Sequence, residues 1–318
     1  MKRDIGIDII KFFAAFLITN SHMAALYPQN ISFLATGGSI GDALFFFCSG
    51  FTLFLKPMGR FDNWYKKRIN RIYPTIFARA ILFAFVFNIY NDMTHTIIHG
   101  GGWFVSCIMI YYIIAYIIDK YMANHLYLSF AIVSVITIVA YILWDKPTKF
   151  SMYGYTYFKW IFFFLYMLLG AITGKKGITM GGRKSLILLI LSFVAYYLIV
   201  LPSQRYESIN DLQLLSLIPL FGITLFTYTL FNCNKAKQLF TNKYINNIIM
   251  FIGGMCLEIY LIQNPLLKID LGLPYPLNYI VMLFMIIIGA YILRCCARVF
   301  SQTFSKENYS WKEVLKII

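Results

Sequence analysis

Apolar residues run through this chain in long blocks broken by short polar stretches. Ten blocks are long enough to cross a hydrocarbon core of about 30 Å as a helix. They fall at roughly 7–27, 39–55, 73–91, 103–119, 127–144, 158–174, 185–201, 212–232, 248–265 and 277–293. No polar stretch is long enough to form a separate soluble domain. The pattern predicts an all-α polytopic membrane protein of about ten transmembrane helices, organised as one domain over residues 1–318.

Composition agrees: 60% of residues are hydrophobic, 13% are charged and the mean hydropathy is +0.69. The formal charge of +15 raises the question of a nucleic-acid partner, and its distribution answers it. With the N-terminus placed in the cytoplasm, 21 of the 28 Lys and Arg fall on the inner side and 5 on the outer, while Lys11 and Arg79 lie within spans. That asymmetry is what the positive-inside rule gives for an even number of spans with both termini cytoplasmic. The charge therefore encodes topology, and no nucleic-acid partner is expected. Asp8 and Lys11 interrupt the first apolar block and no A-x-A-like site follows, so the opening segment is expected to be a retained span rather than a cleaved leader. The six cysteines show neither metal-ligand spacing nor a disulfide framework.

A few polar groups interrupt the apolar blocks. In GIDIIKFFAAFLITNSHMAALY, Lys11 and His22 are eleven residues apart, which places them about 20° from each other on one helical face with about 16 Å of rise between them. Ionisable groups at bilayer depth cost several kcal/mol, so that face is expected to line a protein interior or a watered cavity. Asp42 opens the second block, where Ser49-Gly50 permits either close helix contact or a local break. NWYKKRINRIYP is expected as a short inner loop. Its Lys67, Arg68 and Arg71 either clamp phosphate oxygens or face anionic headgroups. His95 and His99 stand at i and i+4, but no carboxylate or cysteine completes a set and the following glycines argue against a helix, so no metal is expected. Glu258 lies well inside the ninth block, to be paired with Lys11 or another cation from a different helix. Tyr153, Tyr155, Tyr157 and Trp160 offer ring faces to a sugar on the outer side, or simply anchor the interface.

Taken in order, these segments resemble the integral-membrane acyltransferase 3 family. IDIIKFFAAFLITNSH is similar to that family's first-span signature, with Lys11 and His22 at its basic and histidine positions. FFFCSGFTLFL resembles the second span, KKRINRIYP the R-x-x-R element, GGWFVSCIMIYYIIAYII the fourth span and CLEIYLIQNPLL the late Glu-Ile-Tyr-Leu span. The resemblance implies a multi-pass O-acyltransferase of the bacterial inner membrane that moves an acyl group, commonly acetyl from acetyl-CoA, to a cell-envelope glycan or lipid-linked saccharide. Carried over by position, His22 is the catalytic residue and Lys11 its partner in the first-span motif, and Glu258 joins them as a catalytic candidate from its depth in an apolar run. Arg68 and Arg71, with Lys67 and Ser49, fall on the coenzyme side, and Trp103, Tyr260 and Asp42 on the acceptor side. Gln263 stands where many relatives have histidine, so a second histidine at that point has no part here. No metal is implied, membrane lipid is the surrounding partner, and a homo-oligomer is compatible with the pattern.

The rival reading is a glycolipid or polysaccharide transporter or flippase, which also needs buried charge and an aromatic cavity. The two halves show no inverted repeat, which weakens it.

Overall fold

The computed structural model of the protein describes residues 4–146, 150–154, 157–240, 242–305 and 307–317, and among these residues the regular elements are all helical. In chain order they are α1 (Ile5–His22), α2 (Gly38–Leu53), α3 (Phe61–Phe87), α4 (Met93–His99), α5 (Gly102–Met122), α6 (Leu126–Leu143) and α7 (Lys159–Lys176). There follow α8 (Gly182–Arg205), α9 (Leu217–Phe231), α10 (Asn234–Leu239), α11 (Lys243–Gly254), α12 (Cys256–Leu266), α13 (Leu277–Thr303) and α14 (Trp311–Val314). Short 3₁₀ segments, Gln29–Leu34 and Glu207–Ser216, precede α2 and α9.

Eight of the described helices are long and apolar enough to cross a membrane, nine if α11 and α12 form one broken span. The ten expected from the sequence are not reached, for two reasons. α7 forms, but Lys159, Lys175 and Lys176 sit within its eighteen residues. The 248–265 block bends by 66° between α11 and α12, beside Gly253-Gly254, where the weak helix propensity of glycine makes a break cheapest.

Two boundaries also differ. α1 ends at His22, five residues short of the expected end, so the histidine is the last helical residue. The basic segment expected as a loop is instead the first half of α3, which continues through Pro74. A proline deprives the carbonyl four residues earlier of its donor. Here that carbonyl belongs to Asn70, which is exposed and open to other donors.

The helices belong to two compact units, one comprising Met1–Ala14, Ser39–Met58 and Tyr116–Asn246, the other Ala15–Gly38, Gly59–Ala115 and Asn247–Ile318. In the first unit α7 is the central rod, with Phe162, Phe163, Phe164, Tyr166, Met167 and Leu168 all buried. Phe46 of α2 lies against Phe163, and Phe221 of α9 stacks on Tyr166 with centroids 4.7 Å apart. α6 and α8 carry exposed Ile136, Ile142, Ile190 and Leu198, the outer face expected of helices solvated by lipid. In the second unit α3, α12 and α13 pack against one another, with Phe77 stacked on Phe300, while α4 lies on α3 and α14 on α13.

Ser49-Gly50 resolves as close helix contact. A Cβ at Gly50 would lie 1.8 Å from the carbonyl oxygen of Met167, and one at Gly170 would lie 2.0 Å from that of Phe47. The backbones of α2 and α7 thus touch through two glycines, the small-residue packing used where apolar side chains gain nothing by leaving lipid. Gly50→Val is expected to force these helices apart and cost at least about 3 kcal/mol. Ser49→Ala, at a half-buried neighbour, should leave stability unchanged. Thermal melting of the two purified variants in detergent checks the contrast.

Candidate functional site

Most of the sequence-predicted site residues fall within the second unit: His22, Lys67, Arg68, Arg71, Trp103, Glu258 and Tyr260. His22 closes α1 with its side chain exposed, reachable by a substrate. What fixes that end of the helix is Asn20, two residues earlier and buried. Its amide nitrogen donates to the carbonyls of Leu34 and Thr36 at 2.8 and 3.1 Å. Its Oδ1 accepts from the hydroxyls of Tyr27 at 2.6 Å and Tyr279 at 3.1 Å. Asn278 adds a bond to the Leu26 carbonyl. One side chain thereby satisfies the irregular backbone that follows His22 and ties it to the start of α13. Sequence reading passed over Asn20, although a buried amide beside a candidate histidine was itself a signal.

On α3 the three arginines have different surroundings. Arg68 is half-buried, with its guanidinium 5.1 Å from the Trp64 ring and 5.6 Å from the Tyr112 ring. Its Nε is buried without a hydrogen-bond partner among the described residues. Arg71, one turn on, is exposed, as is Lys67. Arg79 is spent on the backbone: Nε donates to the Leu261 carbonyl at 3.1 Å, Nη1 to the Gly100 carbonyl at 2.9 Å, and the guanidinium lies 4.2 Å from the Phe83 ring. The Leu261 contact has a cause in the sequence. Pro265, inside α12, has no N–H to give the carbonyl four residues back, and Arg79 supplies the missing donor.

Glu258 lies in the first turn of α12, just past the break, rather than at mid-span. The cations that act on it electrostatically are Arg294 and Arg298 on α13 and Arg71 on α3. Of the two pairings left open by the sequence, the second unit thus supplies cations from other helices. Arg298 is engaged by the carbonyls of Val314 and Lys316, whereas Nη1 of Arg294 is buried and unpaired among the described residues. Gln263, five residues beyond Glu258, is wholly buried, and both of its amide atoms likewise lack a partner among the described residues. Each such group costs about 1–3 kcal/mol if it stays dry, so a polar partner for these atoms would be stabilising.

Trp103 follows the glycines at the start of α5. The turn there depends on Gly102, whose φ is +64°, and a Cβ on it would come within 2.7 Å of the Tyr260 hydroxyl. Tyr260 also packs on Phe104. The two acceptor candidates therefore meet around this turn, which Arg79 holds through Gly100. The preceding segment corrects an expectation. His95 and His99 do lie on a helix, α4, because Asp92 caps its N-terminus by accepting from the His95 amide and the glycines begin only after His99.

Lys11, Asp42 and Ser49 belong to the first unit. Lys11 is half-buried and Asp8, one turn before it, is buried. Asp42, half-buried in the first turns of α2, is within electrostatic reach of the buried Lys159. Of the outer aromatics, Tyr153 is fixed by a 2.6 Å bond with Ser216, and burial raises its phenol well above the usual range. Tyr157 is exposed, Trp160 half-buried, and Tyr155 lies outside the described residues.

The family model described as an acyltransferase domain, Acyl_transf_3, matches residues 4–295. The chain belongs to the acyltransferase 3 family. The matched region takes in every residue singled out above as a site candidate. Neither the curated proteins nor the solved structures compared with the chain give a match. With eight or nine helices able to cross a bilayer, this acyltransferase is an integral membrane protein.

The bond that Arg79 makes to a proline-orphaned carbonyl in this acyltransferase gives a two-step expectation. Arg79→Leu strands two carbonyls and should cost about 2–6 kcal/mol. Pro265→Ala returns an N–H to Leu261, so the double variant should recover about 1–3 kcal/mol of that loss. Chemical unfolding of the four proteins in detergent measures the coupling. Losses that simply add would refute the exchange of donors.

Proposed function

We propose that this acyltransferase is an O-acyltransferase of the bacterial inner membrane. It transfers an acyl group, acetyl in the simplest case, from cytosolic acyl-CoA to a hydroxyl of a cell-envelope glycan or lipid-linked saccharide. The observation that carries the reading is the state of the second unit's cations. Arg68, close to two aromatic rings, keeps a buried donor without a partner among the described residues, with Arg71 one turn away, and Arg294 keeps another. Buried guanidinium donors of this kind suit phosphate oxygens, and the nucleotide half of coenzyme A is the phosphate-rich part of the proposed donor.

In the proposed reaction the acceptor oxygen bonds to the thioester carbonyl carbon and the C–S bond breaks. The hydroxyl proton passes to the His22 imidazole and from there to the departing thiolate, so no further reactant is needed. Imidazole suits the role because its ordinary pKa lies near neutrality. Lys11, the basic residue of the same first-span motif as His22, and Glu258 are the further charged groups assigned to the reaction. Gln263 offers amide donors to a carbonyl oxygen and an acceptor to a hydroxyl, which fits its buried, unpaired atoms. Trp103 and Tyr260, gathered at the Gly102 turn, supply the ring face and hydroxyl that a sugar needs, and Asp42 is a further acceptor-side candidate.

His22→Ala is expected to abolish transfer of labelled acetyl from acetyl-CoA to envelope glycan while expression and melting temperature persist. Full transfer by that variant would end the assignment. Arg68→Ala with Arg71→Ala should weaken acetyl-CoA binding by about two orders of magnitude and leave acceptor binding within a few fold. Calorimetry with each substrate separates this from misfolding, which would weaken both. Transport of glycolipid across liposomes without any acyl donor would favour the flippase reading instead.

A further inference from the structure

Lined by none of these residues, a cleft of about 1400 Å³ lies in the first unit where the loop between α7 and α8 meets the junction of α9 and α10. Its volume exceeds that of pockets suited to small soluble ligands, about 300–1,000 Å³. Its walls divide by character: Met180, Leu186, Ile187 and Leu230 give an apolar floor, and Arg183, Lys184 and Lys235 stand on its rim. No Asp or Glu lines it among the described residues. Beneath it α8 and α9 are strapped together by the hydrogen bond from Thr229 to Ser185, both buried, so the floor is fixed.

The neighbouring cations are already engaged. Lys175 donates to the Ala123 carbonyl and Lys176 lies over the Tyr127 ring. The rim cations have exposed side chains and lie on segments that the charge asymmetry assigns to the cytoplasmic side. A large cleft lined by apolar side chains and three cations complements an amphiphile with an anionic head.

We propose that this cleft is a binding site for an anionic phospholipid of the inner leaflet, the acyl chain lying on the floor and the phosphate meeting Arg183, Lys184 and Lys235. Each cation near an anionic headgroup is worth about fivefold in affinity, so the three together set a preference of about a hundredfold over a zwitterionic lipid. None of the residues assigned to acyl transfer lines it, and the proposal stands whether or not that assignment holds.

Cys233 lines the cleft and reports on it. The full chain is placed in nanodiscs of phosphatidylcholine, with or without phosphatidylglycerol, and maleimide modification of Cys233 is followed by mass spectrometry of its peptide. Phosphatidylglycerol is expected to slow modification by at least about fivefold, and Arg183→Gln with Lys184→Gln and Lys235→Gln to remove that protection at an unchanged melting temperature. The variant in the same anionic membrane controls for the general effect of surface potential on the thiol. Soluble glycerol 3-phosphate should give no protection. Equal protection by phosphatidylcholine, protection by glycerol 3-phosphate alone, or full protection retained in the variant would overturn the proposal.

Discussion

A peptide group inside hydrocarbon has no water to complete its hydrogen bonds, so any interruption of a helix at that depth must bring its own donors and acceptors. Much of the second unit can be understood as the answer to that demand. Pro265 removes a donor from α12, and the Arg79 guanidinium replaces it on the Leu261 carbonyl. α1 stops at His22, and the Asn20 amide donates to carbonyls of the irregular chain that follows. Neither side chain is exchangeable for an apolar one of similar size, because what each supplies is a hydrogen bond at a place where a missing one costs about 1–3 kcal/mol.

The candidate chemistry gathers at the same interruptions. His22 is the last residue of α1, Glu258 is in the first turn after the 66° bend, Gln263 stands two residues before Pro265, and Trp103 follows the glycine turn into α5. An unbroken span sheathed in lipid offers a substrate only side-chain surface. A broken one exposes polar atoms at depth, and does so only where protein or a wet cavity surrounds it. Sites and breaks therefore coincide for an energetic reason: the polar groups that reactants need can be kept only where backbone irregularity is already provided for.

This explains which parts of the molecule were legible in the sequence. Helical blocks follow from apolar run length, and membership in the acyltransferase family from Lys11 to His22, Ser49-Gly50, Arg68-x-x-Arg71 and the Glu258 segment in that order. Boundaries failed where a local rule met a tertiary partner. Pro74 suggested a loop end, yet α3 runs through it because the orphaned Asn70 carbonyl is exposed. The glycines after His99 suggested no helix, yet Asp92 caps α4 before they begin. The ninth block looked continuous because apolar residues run along most of it on both sides of the break, and only Gly253-Gly254 marked the bend. Asn20 and Arg79 were the least legible. Their value lies in which carbonyls they meet, and those lie 14 to 182 residues away along the chain.

The same point separates arginines that look alike in sequence. Arg68, Arg71, Arg79, Arg294 and Arg298 all stand in or beside apolar helices, where an uncompensated guanidinium would be costly. Arg79 and Arg298 place donors on backbone carbonyls, so their charge is committed to holding the fold. Arg68 and Arg294 each retain a buried donor with no acceptor among the described residues, and Arg71 remains exposed beside them. Burying part of a guanidinium while leaving a donor unused gains nothing for folding alone. In the proposed function an anionic oxygen completes that donor, which is what would set Arg68 and Arg294 apart from the bracing Arg79 and Arg298.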